Sequence, residues 1–195
     1  MPLHLFESAA LPSMPWKNGG GTTREITCQP VGSSVHDFAW RLSIAEIAAS
    51  GPFSAFAGVD RVITLLEGDG VHLHGASAGV DHLLNQPLQP FAFSGDVALD
   101  CDVLGGVCQD FNVMVRSSYG VPCVAVYRSP WHVPAQGAAL VRGGQWQLVL
   151  ADGCQHTLTV QAQDGAFWHA LPEGARLLPM TADACLLGVS IAPHF

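Results

Sequence analysis

The feature that most constrains this chain is a repeated alternation of apolar and polar residues in short runs. Large apolar residues occupy every second position over residues 38–44 and 146–150, for example. Glycine turns, such as those at Gly68 and Gly143, separate the runs. A period of two is typical of half-buried β-strands, and frequent tight turns disfavour long helices. We therefore predict an all-β fold of double-sheet barrels, with one short helix near residues 45–50.

Two stretches of the chain share a layout, which predicts two barrels. Residues 62–96 and residues 146–179 each contain an apolar strand, a glycine turn, a second strand and then an aromatic run near a proline. The repetition indicates a duplication of a double-sheet barrel, with one barrel over residues 1–118 and the other over residues 119–195. An exchange of strands between the two halves is left open.

The charge of the chain excludes several classes of partner. Eight lysines and arginines stand against 16 acidic residues, a formal net charge of −8. Such a chain repels nucleic-acid phosphates and anionic lipids, so we predict no nucleic-acid or membrane partner. No segment resembles a secretory signal or approaches the roughly 20 apolar residues of a membrane span. We expect a cytoplasmic protein.

One segment departs from the strand pattern and points to an anion site. Lys17 is the only lysine of the chain, and it lies between Trp16 and three consecutive glycines. Glycine lets backbone N–H groups approach a ligand, and a neighbouring cation attracts a carboxylate or phosphate. The lysine precedes the glycines, so the segment is not a P-loop. We predict ligand contacts from Trp16, Lys17, Asn18, Gly19, Gly20, Gly21 and Thr22.

The strand after the glycines is expected to turn an arginine into the barrel. On an extended chain Arg24, Ile26 and Cys28 project to one face, and the two apolar residues mark that face as interior. A buried guanidinium needs a carboxylate or a bound anion, so we predict that Arg24 contacts the ligand. The simpler alternative is that the glycines form a tight turn and Arg24 pairs with an acidic residue.

Later strands supply further candidates for the site. Arg61 lies beside Ile63 and Leu65, although its strand is apolar on both faces. Asp110 and Asn112 begin a strand after a glycine turn, and ligand contacts are common at the mouths of barrels. We predict that Arg61, Asp110 and Asn112 add polar contacts. The apolar wall of the pocket is predicted to include Trp40, Phe53 and Phe56.

His72 and His74 have the spacing that comes nearest to a metal site. Residues two apart on a strand place both imidazoles on one face. Their neighbours Val71 and Leu73 are apolar, however, which predicts that the histidines face outward. The six cysteines show neither a C-x-x-C pair nor zinc spacing. We predict no metal and no other cofactor.

Five blocks of the sequence together resemble the HutD/Ves family. They are PWKNGGGTTREI, WRLSIAEI, GPFSAFAGVDRVITLLEGDG, PFAFSGD and DFNVMVR, in this order within the first 116 residues. The resemblance implies a bicupin, a chain of two cupin-type barrels. It also implies a link to bacterial histidine utilisation, through the sensing of an intermediate such as urocanate or formylglutamate. Both molecules are small carboxylates, which agrees with the predicted anion site.

The leading hypothesis is therefore a non-enzymatic, small-carboxylate-binding protein that modulates histidine utilisation. A competing hypothesis is an enzyme acting on a small organic acid. It would be either a metal-dependent cupin using His72 and His74 or a metal-free isomerase or hydrolase using Lys17 or Asp110. A third is a structural or interaction protein without a small ligand. The sequence leaves a homodimer open.

Overall fold

A computed structural model describes residues 3–75, 79–159 and 164–194 of the chain. Antiparallel strands dominate these ranges, together with a short 3₁₀ helix at Ser8–Ala10, which confirms the predicted all-β class. Within them, no helix has the length and apolar character needed to span a membrane. The strands in chain order are β1 Leu3–Glu7, β2 Ser13–Pro15, β3 Gly21–Gln29, β4 Trp40–Ile47, β5 Gly51–Phe53, β6 Val59–Glu67, β7 Val71–Gly75, β8 Val80–Leu84, β9 Pro90–Ser94, β10 Leu99–Val103, β11 Cys108–Arg116, β12 Gly120–Tyr127, β13 Trp131–His132, β14 Gly137–Gly143, β15 Gln145–Val149, β16 Gln155–Thr159, β17 Asp164–Trp168, β18 Arg176–Pro179 and β19 Cys185–Pro193.

The chain divides into two compact units. The N-terminal unit comprises Pro12–Pro122 and Pro193–Phe195, and the C-terminal unit comprises Met1–Leu11 and Cys123–Ala192. β1 belongs to the C-terminal unit because it pairs antiparallel with β17. Alternation within a strand carries no information about which distant strand it pairs with. The predicted division placed residues 1–118 in the first barrel and left an exchange of strands open, and β1 is a strand that belongs to the other unit.

Two sheets pack face to face in the N-terminal unit. One has six strands in the order β2-β3-β4-β11-β6-β9, and the other has four in the order β5-β10-β7-β8. Both sheets contribute to one buried apolar cluster, with Ile63 and Leu65 from β6 and Leu73 from β7 among its members. Burial of each such side chain contributes about 1.5–3 kcal/mol. This cluster holds the two sheets together.

The prediction of a helix over residues 45–50 is wrong. β4 continues to Ile47, and Ala45 pairs with Thr23 on one side and with Asp110 on the other. A strand in the middle of a sheet satisfies its backbone hydrogen bonds on both edges. Tertiary pairing therefore overrides the local helix preference of the alanines in this segment.

The C-terminal unit also combines a larger and a smaller sheet. Their strand orders are β1-β17-β14-β19-β12 and β13-β18-β15-β16. Trp131, Trp146 and Trp168 belong to the apolar cluster of this unit, and the last two are fully buried. The indole Nε1 of Trp168 donates a 2.8 Å hydrogen bond to the carbonyl oxygen of Pro134. The described interior of this unit is packed with large apolar side chains.

Candidate ligand-binding site

A cavity of about 600 Å³ lies in the N-terminal unit. Its volume is within the range of about 300–1,000 Å³ that is typical of small-molecule sites. The lining combines charged and amide side chains with apolar ones. The charged and amide residues are Lys17, Asn18, Arg41, Arg61, Asp110 and Asn112. The large apolar residues are Met14, Trp16, Phe53, Phe56 and Met114.

The pairing of three neighbouring strands explains why the polar residues meet. In the order β4-β11-β6, residues directly opposite one another project to the same face of the sheet. Asn112 of β11 stands opposite Ser43 of β4. Two residues further along β11, Met114 stands opposite Arg41 on one side and Arg61 on the other. Asp110 lies two residues from Asn112 and therefore shares its face. These side chains form the polar floor of the cavity.

Arg61 is a buried cation within this floor. Its Nη1 donates a 2.9 Å hydrogen bond to the carbonyl oxygen of Ser54, and its Nη2 donates to Oδ1 of Asn112 over 3.3 Å. Burial lowers the pKa of Arg61 to about 10, although the nearby Asp110 acts in the opposite direction. The guanidinium is therefore charged at neutral pH. Its Nε has no hydrogen-bond partner among the described residues.

Asp110 is the buried carboxyl group of the floor. Burial raises its pKa to about 7, against the lowering effects of the Arg61 charge and of a hydrogen bond from Asn112. That bond joins Nδ2 of Asn112 to Oδ1 of Asp110 over 3.5 Å, so Asn112 bridges the carboxyl and Arg61. Oδ2 of Asp110 has no partner within the part of the chain that the structure describes. Near pH 7 this carboxyl group exchanges between its neutral and charged forms.

Arg41 is a second buried arginine of the floor, and the sequence reasoning missed it. Its Nε donates a 2.7 Å hydrogen bond to Oε2 of Glu25, which partly balances its charge. It was missed because its neighbours Trp40 and Leu42 are large and apolar, so the sequence pattern marks their face of β4 and not the face of Arg41. A usable signal was present, because Arg41 and Ser43 are polar at the same i, i+2 spacing as the floor residues of β11.

Aromatic rings enclose the Arg61 guanidinium. Its central carbon lies 4.6 Å from the ring centre of Phe53, 5.3 Å from that of Phe56 and 5.0 Å from that of Phe93. Cation–π contacts of this kind favour a desolvated guanidinium. Phe53 and Phe56 thus occupy the predicted wall. Trp40 does not line the cavity, because β4 turns it to the opposite face from Arg41.

The segment around Lys17 forms the rim of the cavity. Lys17 and Asn18 line it and are exposed to solvent, and the indole Nε1 of Trp16 donates a 2.7 Å hydrogen bond to Oγ1 of Thr23. The prediction that the backbone N–H groups of Gly19 and Gly20 contact the ligand is wrong. The N–H of Gly19 donates to the carbonyl oxygen of Trp16, and the N–H of Gly20 donates to Oδ1 of Asn18, each over 3.0 Å. The loop itself uses these two donors.

Gly21 and Thr22 also lie outside the cavity lining. A Cβ atom on Gly21 would overlap the carbonyl oxygen of Glu46 and crowd the ring of Trp16. Glycine is therefore needed here for the close approach of β3 to β4. Thr22 donates a 3.1 Å hydrogen bond from Oγ1 to Oε2 of Glu46. Both residues position the rim and do not face the ligand space.

Arg24 does not line the cavity, and its predicted inward orientation is wrong. Its Nη2 lies 3.7 Å from Oε2 of Glu46, and both side chains are partly exposed. The register of β3 against β4 shifts between Glu25 and Thr27, which marks a β-bulge. A bulge reverses the alternation of faces along a strand, so Ile26 does not report the face of Arg24. For this residue the simpler alternative, pairing with an acidic side chain, applies.

His72 and His74 face away from the interior of the N-terminal unit, as predicted. Their neighbours Val71 and Leu73 are fully buried in the apolar cluster between the two sheets. Neither histidine is among the described residues that line the cavity. The chemistry available in the cavity therefore comes from arginine, lysine, amide and carboxyl groups.

The charge of the lining suits a small anion. Lys17, Arg41 and Arg61 contribute three positive charges, whereas Asp110 is only partly ionised near pH 7 because burial raises its pKa to about 7. In its neutral form Asp110 can donate a hydrogen bond, as the guanidinium groups do. A carboxylate bound on this floor would therefore meet donors from more than one side.

Comparisons with other proteins identify relatives along almost the whole chain. The HutD family model matches residues 8–186. An uncharacterized 21.2 kDa protein in the hutC 3' region of Pseudomonas putida is 49% identical over 115 residues, which cover 57% of each chain. Protein Ves of Escherichia fergusonii is 35% identical over 196 residues, which cover 99% of this chain and 97% of that one.

Solved structures with the same fold support this relationship. A conserved protein of unknown function from Pseudomonas aeruginosa PAO1 has a TM-score of 0.84 and 31% identity, and the match covers 97% of this chain and 98% of that one. HutD from Pseudomonas fluorescens SBW25, in a formate condition, has a TM-score of 0.79 and 27% identity, with 99% and 100% covered. A cupin 2 conserved barrel domain protein from Leptotrichia buccalis, with a TM-score of 0.61, 10% identity and 96% of each chain covered, shares the fold alone. The predicted cupin-type fold is confirmed.

Proposed function

The chain belongs to the HutD family, as its five sequence blocks predicted, and on this premise we propose that it binds a small carboxylate and thereby modulates histidine utilisation without catalysing a reaction. The ligand is an intermediate of histidine breakdown such as urocanate or formylglutamate. The protein acts in the cytoplasm, and its ligand site is the cavity of the N-terminal unit.

The observation that carries the proposal is a pair of buried polar atoms, Arg61 Nε and Asp110 Oδ2. Both residues line the cavity, and neither atom has a hydrogen-bond partner among the described residues. A buried polar atom without a partner costs about 1–3 kcal/mol. A carboxylate ligand can accept hydrogen bonds from both groups when Asp110 is protonated. Binding would then remove a cost that the folded protein otherwise carries.

The rest of the cavity matches molecules of this size and kind. The flat rings of Trp16, Phe53 and Phe56 suit a planar or extended organic acid. Lys17 stands at the exposed rim, where its charge attracts an anion from solvent and can pair with a second carboxylate. Formylglutamate has two carboxylates, and urocanate has a carboxylate and an aromatic ring. Both can use the floor and the rim together.

The names of the relatives support the link to histidine utilisation. The Pseudomonas putida relative is described by its position in the hutC 3' region, and the Pseudomonas fluorescens protein is named HutD. These descriptions belong to those proteins. For this chain they favour a carboxylate of the histidine pathway over other anions.

The proposal is tested by a thermal-shift series on the full chain with urocanate, formylglutamate and formate. A ligand present at 100 times its dissociation constant should stabilise the protein by about 2.7 kcal/mol, which is readily measured as a rise in Tm. Imidazole, which lacks the carboxylate of urocanate, is the matched control ligand and should have little effect. No rise in Tm with any of the three carboxylates would contradict the proposal.

A second candidate function is favoured by the pKa of Asp110. A carboxyl group whose pKa is raised to about 7 in a ligand cavity has the properties of a general acid or base. This candidate is a metal-free isomerase or hydrolase acting on a small organic acid. Incubation with urocanate or formylglutamate, followed by chromatography, distinguishes the two functions. Turnover that Asp110→Asn abolishes would replace the binding proposal with an enzymatic one.

A further inference from the structure

A cluster of potential metal ligands lies on the outer face of the four-stranded sheet in the N-terminal unit. β7 turns His72 and His74 to this face because the intervening Leu73, like Val71, is fully buried. The two imidazole rings lie side by side, with centroids 4.9 Å apart. A rigid, doubly paired strand therefore presents two nitrogen ligands with a fixed separation.

Carboxylates from both neighbouring strands complete the cluster. Asp81 of β8 stands opposite His74, and Asp102 of β10 stands opposite His72. Each carboxylate reaches diagonally to the other histidine. Nε2 of His72 lies 2.6 Å from Oδ1 of Asp81, and Nε2 of His74 lies 2.9 Å from Oδ2 of Asp102. Each histidine of β7 therefore contacts a carboxylate of a neighbouring strand, His72 that of β8 and His74 that of β10.

The potential ligand atoms lie within reach of one shared ion after small side-chain rotations. One potential ligand atom each from His72, His74 and Asp102 lies within 4.8 Å of the other two. Zinc bonds of about 2.0–2.1 Å to nitrogen and oxygen place neighbouring ligand atoms about 3.3 Å apart. The side chain of Asp102 is 58% exposed, and the two histidines are partly exposed. Small rotations toward a shared ion therefore meet little steric resistance.

In departure from the expectation from sequence that the chain holds no metal, we propose that His72, His74 and Asp102 bind a divalent zinc ion that links strands β7 and β10. Two neutral imidazoles and a carboxylate suit zinc, whereas magnesium and calcium prefer oxygen ligands alone. Asp81 contacts His72, and its charge together with that of Asp102 balances the charge of the ion. The ion joins strands of one sheet, so it stabilises the folded state of this unit.

This site is separate from the cavity and does not depend on the proposed function. The apolar cluster that contains Val71 and Leu73 lies on the inner face of the same sheet. The histidines are not among the described lining residues of the cavity. Carboxylate binding and zinc binding can therefore be tested independently with the same protein.

The test is equilibrium dialysis of the untagged full-length chain against Zn²⁺, with metal quantified by elemental analysis. Wild type is expected to bind close to one equivalent, and His72→Ala/His74→Ala is expected to weaken this binding by about tenfold or more. His132→Ala is the matched control, because His132 is an exposed histidine of the C-terminal unit. Zinc bound equally by wild type and the double variant would locate it at other groups, such as the exposed Cys123 and Cys154, and overturn the proposal.

Two further measurements sharpen the assignment. Asp102→Asn preserves the size of the side chain and should weaken zinc binding, whereas Mg²⁺ at the same concentration should not raise the Tm of wild type. Far-UV circular dichroism establishes that each variant is folded, which the exposed positions favour. Absence of zinc binding by folded wild type would also overturn the proposal. The response of the double variant to carboxylates should match that of wild type.

Discussion

The two units of this chain combine similar sheets but have different interiors. In the N-terminal unit the six-stranded sheet places Arg41, Arg61 and Asp110 on a buried polar floor beside a cavity of about 600 Å³. In the C-terminal unit the described core is an apolar cluster that includes the fully buried Trp146 and Trp168. One interior retains charged groups and space, whereas the other is packed with aromatic rings.

The difference indicates that the apolar interior of the C-terminal unit favours folding, whereas the buried charged groups of the N-terminal unit oppose it. Burying large apolar side chains is the main favourable contribution to folding. Burying charged groups without full pairing is unfavourable, and a protein tolerates this mainly where the groups serve a ligand. We therefore expect mutations in the C-terminal core to change stability most. Mutations around the cavity should change ligand binding most.

The largest expected effect is the loss of stability in Trp146→Ala. Removing a fully buried tryptophan leaves a large void, and we expect the free energy of unfolding to fall by about 3–5 kcal/mol. Trp16→Ala at the rim of the cavity should cost less because that ring is only partly buried. Urea unfolding followed by circular dichroism compares the two variants. Equal losses of unfolding free energy in the two variants would contradict the contrast between a packed and an open interior.

The second-largest expected effect is a loss of carboxylate affinity in Arg61→Lys. Lysine keeps the charge but loses the planar group that reaches Ser54 and Asn112, so binding of a carboxylate should weaken by about 1.5–3 kcal/mol. Arg116→Lys is the matched control, because Arg116 donates to backbone carbonyl groups and does not line the cavity. Calorimetric titration should show weaker binding only for Arg61→Lys. Equal weakening in both variants would point to a general structural effect.

The pH dependence of stability tests the buried carboxyl group directly. Burial raises the pKa of Asp110 to about 7 from its ordinary value of 3.8, so near pH 5.5 the folded protein holds a proton that the unfolded chain has released. The proton held by Asp110 stabilises the folded state relative to the unfolded chain. This contribution is fully present below the unfolded pKa and is lost as the pH rises through 7. Between pH 5.5 and 8 the free energy of unfolding should fall by about 2 kcal/mol from this group.

Comparison with Asp110→Asn isolates that contribution. The asparagine does not titrate, so the variant should lack this part of the pH dependence while the histidines contribute equally to both proteins. Urea unfolding at pH 5.5, 6.5, 7.5 and 8 measures the difference in slope. Parallel curves for the two proteins would show that Asp110 is not the titrating group.

The smallest expected effect on stability is that of Lys17→Ala. Lys17 is exposed at the rim, so the free energy of unfolding should change by less than about 0.5 kcal/mol, while carboxylate affinity should fall by about 0.2–1 kcal/mol. Arg128→Ala removes one exposed positive charge from the C-terminal unit and is the control for net charge. Loss of affinity in both variants would indicate long-range attraction rather than a contact at the rim.

The sequence predicted several residues of the candidate site but missed Arg41 and misplaced Arg24. Lys17, Arg61, Asp110 and Asn112, which the sequence predicted as ligand contacts, line the cavity. Arg41 was missed because its larger apolar neighbours dominate the pattern of β4. Arg24 was placed on the wrong face because a bulge in β3 reverses the alternation. A bulge changes the face of every following residue without leaving a distinctive local sequence.

The sequence by itself determined the all-β class, the positions of most turns and the family, because alternation, glycine turns and ordered motifs are local properties of the chain. Only the tertiary structure decided which face of each strand lines the cavity and which residues share its floor. Asp110 and Arg61 act on each other through the register of β11 and β6. That register depends on pairing between segments far apart in the chain. The raised pKa of Asp110 follows from its burial, against the opposing effect of the Arg61 charge, and this burial exists only once the sheets have packed.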